Sequence, residues 1–269
     1  MKISNKNNRL ITNLESWKTA FIEVDKKSKE DNGKSNWEEG RSACTLAKYF
    51  TTPNIEESYG IKKIEEYFKA LGFSNLKFNS AEIEHESRFD SFRGQGRMQD
   101  LAIWGESEKG SILTCIEAKV DESFDKSLFK KLEEIEKYLD THKNSKRRDR
   151  IQNLCKEYLK VNVGDIKSED KNDIRYQLLH YLAGSICEAK CCADVVFMPI
   201  MVFKTNKYNE TKGNSNREDY KRFIEALKFD EICVEEKRIN KRTFEGIDVY
   251  ISYIEIDFAN EGSSKFFEI

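Results

Sequence analysis

Hydrophobic positions recur along the chain at two spacings, and together they predict most of its elements. Ala43, Leu46, Ala47 and Phe50 fall on one face of a 3.6-residue period, so a helix is expected through about Phe50. Ser35 followed by Glu38 has the form of a capping box opening that helix, and residues 25–36 before it read as a solvated polar loop. A second helix is predicted from about Glu56 to Leu71, with Ile61, Ile64, Phe68 and Leu71 inward and Gly72 where a left-handed cap belongs. Three strand-like segments follow. Ala81, Ile83, His85, Ser87 and Phe89 alternate with Glu82, Glu84, Glu86 and Arg88 at a period of two. A polar turn from Asp90 to Arg97, with Gly94 and Gly96, leads into a short strand from Asp100 to Trp104. Ile112 to Val120 is the third strand and the most apolar.

Beyond the strands the period returns to that of a helix. Leu128, Leu132, Ile135 and Leu139 mark one, and the basic run Lys143 to Arg150 precedes a shorter one ending near Leu159. Asn172 or Asp173 is placed to cap a long helix to about Cys191, with Leu179, Leu182, Ala183 and Ile186 facing inward. Val195 to Phe203 reads as a buried strand in which Pro199 implies an edge position or a bulge. A helix near Asp219–Leu227 and a strand from Ile247 to Ile256 complete the pattern. From residue 56 the order is helix, three strands, helices, strand, which describes an α/β or α+β fold. With no long Pro/Gly/Ser linker, residues 1–269 are expected to form a single domain.

Composition narrows the class. Charged residues make up 35% and hydrophobic ones only 38%, yet 12% aromatic content is too rich for a disordered chain. No apolar run reaches the roughly 18 residues that span a bilayer, and no apolar leader follows the start, so no membrane partner is expected. The net charge of −2 argues against a strongly basic coat for nucleic acid but leaves a local basic groove open. Seven cysteines without a CxxC pair suit reduced thiols in a cytoplasmic protein, and Cys187, Cys191 and Cys192 are expected as small buried hydrophobes. The three histidines lie far apart, so any metal would be held by carboxylates, which suits a hard ion such as magnesium.

The third strand carries the chemistry. In ILTCIEAKV, residues Leu113, Cys115, Glu117 and Lys119 share one face, which sets a carboxylate and an ammonium about 6.6 Å apart along the backbone. An acid-x-Lys triplet occurs eight times in this charged chain, but only Glu117 sits within an apolar strand. Asp100 opens the preceding strand and can bring a second carboxylate to the same end. Two carboxylates with a lysine suit phosphodiester cleavage: the acids hold magnesium, and the lysine orients water or steadies charge on phosphorus. The plain alternative is a strand-end ion pair, Glu117–Lys119 or Asp100–Lys119, with no catalytic role.

These residues resemble the PD-(D/E)XK nuclease superfamily, whose restriction-endonuclease-like core runs αβββαβ. Asp100, Glu117 and Lys119 match its motif, with sixteen residues between the acids. The segments QDLAIW (99–104), IEAKVDESFD (116–125) and RYQLLHYLAGSICEAKCCADVVFMPIMVF (175–203), with WEEGRSACTLAKYF (37–50), are similar to an uncharacterised bacterial family of PD-(D/E)XK-like proteins. Gln99 stands where the superfamily often has proline, and Ala118 where that bacterial family has glycine. The resemblance implies a mixed sheet flanked by helices, with an N-terminal helical extension over 1–55, the core over 56–205 and a C-terminal α/β extension of unassigned role over 206–269. It implies a magnesium-dependent (or manganese-dependent) deoxyribonuclease, hydrolysing DNA in restriction, defence or repair, with Asp100 and Glu117 as metal ligands and Lys119 as the catalytic lysine. The alternative is a catalytically inactive module on the same fold that binds nucleic acid or protein. A further acid from the first helix is expected at Glu39, ahead of Glu65 and Glu66, and Gln177 is a candidate supporting residue that can contact a phosphate. His180 reads as a core-edge histidine. The basic run 143–150 is either one wall of a phosphate groove or a solvated loop. Superfamily enzymes often work as homodimers, so a second copy is a candidate partner.

Overall fold

The computed structural model describes residues 1–25, 37–92, 96–234 and 236–258. The Ser35–Glu38 capping box, most of the 25–36 loop and the turn at Gly94 lie outside the described residues. In chain order the elements are β1 (Lys2–Asn5), β2 (Leu10–Ile11), α1 (Leu14–Asp25), α2 (Ser42–Thr51), α3 (Tyr59–Ala70), β3 (Lys77–Ser87), β4 (Arg97–Ser107) and β5 (Gly110–Lys119). Then come α4 (Leu128–Leu139), α5 (Arg147–Leu154), α6 (Tyr176–Cys192), β6 (Val195–Phe203), α7 (Glu210–Ala226), β7 (Asp230–Val234), β8 (Lys237–Phe244) and β9 (Ile247–Ile256). Among the described residues the nine strands join one mixed sheet in the order β2-β1-β3-β4-β5-β6-β9-β8-β7. From α3 the order is helix, three strands, the helices α4 to α6 and then strand β6, as the spacing predicts.

The centre of the sheet is apolar on both faces, so it must be covered on both. Along β5 and β6, Ile112, Ile116, Phe197 and Met201 pack into one core with Phe50, Ile64 and Phe68 from α2 and α3. Leu113, Cys115, Met198 and Ile200 pack into a second core with Leu128, Leu178 and Leu182 from α4 and α6. Strands β5 and β6 run parallel. A parallel pair needs a long crossover, and α4, α5 and α6 supply it. Ser58 caps α3 by accepting from Ile61 N at 3.3 Å, and Gly72 ends it with φ +76°. No helix among the described residues is long and apolar enough to cross a membrane.

Several expectations are corrected. The segment 1–55 is not wholly helical: β1 and β2 add to one edge of the sheet, β1 lying parallel to β3. Helix α2 starts only at Ser42, because Arg41 is still extended. Helix α6 starts at Tyr176 rather than after Asp173. The Asp173 carboxylate serves another element, accepting from Phe129 N in the first turn of α4 at 2.8 Å. Helix α7 begins at Glu210, nine residues before the expected start, capped by Asn209, which accepts from Lys212 N at 3.1 Å. Its first turns lack an apolar stripe because they pack through Gly213 and Asn216, whose amide donates to the Glu122 carbonyl at 2.9 Å. Cys187 is half-buried and Cys191 and Cys192 are exposed, since the end of α6 turns them out of the core. The C-terminal segment extends the core sheet, with β9 parallel to β6.

Pro199 is neither at an edge nor in a bulge; β6 is central, and Pro199 faces Ser252 of β9 in regular register. The cost of its missing N–H falls on the other side. The β5–β6 pairing lapses between Thr114–Phe197 and Glu117–Ile200, although the register is unchanged across the gap. Tyr181 of α6 repairs this: its hydroxyl donates to the Cys115 carbonyl at 2.5 Å, 3.3 Å from the Pro199 carbonyl. Burial pushes the Tyr181 phenol well above its usual range, so it stays a donor. Tyr181→Phe is expected to cost about 1–3 kcal/mol by orphaning a buried carbonyl, read as a lowered midpoint in urea unfolding. An unchanged midpoint would show that the Cys115 carbonyl finds another donor.

Candidate active site

The site forms where β4 and β5 part. Their antiparallel ladder runs from Ser107–Gly110 to Leu101–Ile116 and stops there, just short of Asp100 and Glu117. Asp100 Oδ2 accepts from Ala118 N at 2.7 Å, so a side chain replaces the next ladder bond. The alternation of side chains also breaks here. Leu101 and Ile103 point into the core beneath α2 and α3, whereas Gln99 donates to Ser185 of α6 at 3.3 Å on the opposite face. The neighbouring strand breaks too: Glu84 has φ +49°, and His85 turns toward α6, where it lies 3.1 Å from Glu188 and 3.1 Å from Glu82. Such irregularities re-aim side chains beside functional sites. Burial opposes a charge on His85, but the Glu188 and Glu82 carboxylates outweigh it and push the imidazole up to about 9.

The break brings Arg97 under α6. It crosses at Gly184, where a Cβ would lie 2.8 Å from Arg97 Cβ and 3.2 Å from Gln99 Nε2, so the helix needs glycine there. The Arg97 guanidinium pairs with Glu117 Oε2. Glu117 Oε1 receives Lys119 Nζ at 2.9 Å and Gln177 Nε2 at 2.6 Å. Lys119 Nζ also donates to Gln177 Oε1 at 3.4 Å and sits 5.5 Å from the centre of the Phe124 ring. Glu117 is 1% exposed, Lys119 8% and Arg97 9%. This is a buried network of one carboxylate, two cations and an amide, with Asp100 on the adjoining strand.

The two acids differ in proton affinity. Burial alone raises the Glu117 carboxyl, but Arg97 and Lys119 together hold it below the ordinary range. Asp100 goes the other way: burial first, then the Glu117 charge, push it up to about 7. The folded chain therefore holds a proton on Asp100 that the unfolded chain releases near 3.8. Ionised Asp100 costs stability, and the cost grows as pH rises from about 4 to 7 and persists above. Asp100→Asn keeps an acceptor for Ala118 N without the charge. It is expected to raise the Tm at pH 8 in EDTA, by about 2–4 °C per kcal/mol recovered, with the gain vanishing near pH 4. No gain at pH 8 would mean that Asp100 titrates normally.

The structure thus gathers Asp100, Glu117, Lys119 and Gln177. Glu39 is not joined to them: it pairs with Lys48 and accepts from Cys44 Sγ at 3.4 Å. Glu65 and Glu66 pair with Lys69 and Lys63 along α3, each at 3.0 Å. His180 lines the approach to the site, stacked on Tyr176 at 5.1 Å, and burial with Arg97 and Arg150 nearby lowers it to about 3, so it is neutral. Its buried Nε2 has no hydrogen-bond partner among the described residues. Arg97 is the residue that sequence reading missed. Regular alternation places it with Leu101 on the other face, and nothing in the sequence marks the break at Asp100.

Among the described residues no three His, Cys, Asp or Glu side chains converge into a metal cage. The fit to magnesium rests on two hard carboxylates. Asp100 Oδ1 accepts no hydrogen bond among the described residues, and burial, with the Glu117 charge second, raises Asp100; a bound cation would offset both. Glu117 already carries cationic partners, so a metal there competes with Arg97.

These features define a mixed α/β protein with an acid–lysine cluster at a strand split. The chain belongs to the family described as Domain of unknown function (DUF6946), whose model matches residues 12–258. No curated protein and no solved structure matches it.

Proposed function

We propose that the protein is a magnesium-dependent nuclease that hydrolyses phosphodiester bonds of DNA, with the cleavage site at Asp100, Glu117 and Lys119. The observation that carries this reading is the convergence of these three residues where β4 and β5 separate, with Lys119 Nζ 2.9 Å from Glu117. Asp100 and Glu117 would hold magnesium or manganese, which when bound would neutralise the phosphate and acidify a water. Lys119 is kept ammonium-first toward the cluster by Glu117 and Gln177, where it can orient water or steady negative charge on phosphorus. Gln177 positions Lys119 and Glu117 by bonding both. All seven cysteines are free and Cys191, Cys192 and Cys233 are exposed, which supports a reducing, cytoplasmic setting. Leu10 is the one exposed large hydrophobic among the described residues, so no apolar patch supports a homodimer.

The test is cleavage of plasmid, linear duplex and single-stranded DNA by wild type in magnesium or manganese, with EDTA as control. Metal-dependent products, absent with Lys119→Ala, are expected; no product from wild type on any of them would defeat the reading. A second reading, a non-catalytic binding module, is favoured by one observation: Arg97 already neutralises Glu117. It predicts no divalent-metal affinity at the site.

A further inference from the structure

The turn between α4 and α5 folds a basic run and two aromatic rings around one groove. The cavity measures about 1020 Å³ and is lined on one side by Ser91 and Phe92, after β3, and on the other by Tyr138, residues 140–147 and Arg150. On that side Tyr138 and His142, one helical turn apart, stack at 3.9 Å with ring planes 6° apart. The Arg147 guanidinium lies 4.1 Å from the centre of the Tyr138 ring. His142 is fixed by contacts of its Nδ1 with Thr141 Oγ1 at 2.8 Å and the Tyr138 carbonyl at 3.2 Å, and it is exposed. The result is a short ladder of planar groups ending in a presented imidazole.

Charge in the groove is one-sided. Lys143, Lys146, Arg147 and Arg150 line it against the single carboxylate of Asp140. Lys146 pairs with Asp149 at 2.9 Å and Arg150 holds Asp90 at 2.6 Å, but among the described residues neither Lys143 nor Arg147 has a carboxylate partner. A concave surface that combines unpaired cations with a planar stacking end suits a phosphate backbone bearing an unstacked base. A duplex keeps its bases stacked on each other and offers none to His142.

The groove adjoins the acid cluster. Arg150, in its wall, lies 5.5 Å from the centre of the Phe89 ring; Phe89 meets His180 edge-on at 4.7 Å. His180 in turn lines a smaller cavity of about 360 Å³ together with Arg97, Tyr176 and Gln177. Two cavities share one aromatic partition, with Glu117 and Lys119 bonded to Gln177 beyond it.

We propose that the groove between the α4–α5 turn and the end of β3 binds single-stranded nucleic acid, with phosphates on Lys143, Lys146 and Arg147 and a base stacked on His142. That this strand continues to Asp100 and Glu117 rests on the nuclease reading; the binding itself does not. The experiment is fluorescence anisotropy of a fluorescein-labelled single-stranded DNA oligonucleotide, and of its duplex, with full-length protein in EDTA across a salt series. Wild type should bind the single strand more tightly than the duplex. The triple variant Lys143→Ala, Lys146→Ala, Arg147→Ala should bind at least about tenfold more weakly, with a salt slope shallower by about two. His142→Ala should lose about fivefold or more with the slope unchanged. Binding that the triple variant retains in full, a preference for duplex, or no binding by wild type would each overturn the proposal. Groove-dependent binding without cleavage would overturn only the nuclease reading. Cleavage by a triple variant as fast as wild type, with equal binding, would overturn only the groove.

Discussion

Glu117→Ala is expected to lose about 3–5 kcal/mol of folding stability, the range seen when one partner is removed from a buried ion pair. The reason is what it leaves behind. Arg97 and Lys119 are both nearly enclosed, and Glu117 is the only carboxylate that either of them pairs with among the described residues. Without it two cations share a pocket from which water is largely excluded, and Gln177 Nε2 loses its acceptor as well. Glu117→Gln keeps the volume and one acceptor, so it should cost less, but it still leaves excess positive charge. Urea unfolding in EDTA at neutral pH measures both. A loss below about 1 kcal/mol for Glu117→Ala would place the pair among solvated ion pairs and remove the argument for a pre-formed, low-dielectric site.

Lys119→Ala is expected to do the reverse, damaging rate far more than fold. Glu117 keeps Arg97 and Gln177 after the change, so its charge stays compensated and stability should fall only modestly. What disappears is the ammonium held between Glu117 and Gln177, which on the nuclease reading would meet the reacting phosphate. Loss of one such pre-oriented donor lowers rate by about 10²–10³-fold. Single-turnover cleavage with enzyme in excess isolates that step from product release. Loss of activity together with loss of the folded state would assign Lys119 a structural role, and full activity would remove it from the mechanism. Lys119→Arg is the informative companion: it restores charge but not the compact point donor that fits between Glu117 and Gln177.

Much of this molecule could be read from spacing. The apolar runs of β5 and β6 mark buried strands, and both prove enclosed on each face. Ser58 and Gly72 bracket α3 through local bonds that depend on few neighbours, so its limits were legible to within about three residues. Asp100, Glu117, Lys119 and Gln177 were legible because a strand period and a helix period each carry them to the same sheet end. Features set by tertiary contact were not. Pro199 is tolerated centrally only because Tyr181 brings a hydroxyl from α6 to the vacated carbonyl. Arg97 reaches Glu117 only because both β3 and β4 break alternation beside Asp100. Glu39 pairs with Lys48 instead of joining the acids, and sequence offered no measure of that distance. The stacked ladder escaped notice because Tyr138 and His142 precede the basic run, and only the α4–α5 turn folds Arg147 back onto Tyr138.

On the nuclease reading Asp100 and Glu117 form a divalent-metal site despite the presence of Arg97. Isothermal titration of magnesium, and of manganese, into metal-free protein at pH 8 tests it most directly, since Asp100, raised to about 7, is ionised there. Wild type is expected to bind the metal saturably, more weakly at pH 6 where Asp100 is largely protonated, and the Asp100→Asn, Glu117→Gln double variant not at all. Binding that survives in the double variant, or no binding by wild type at either pH, would contradict it.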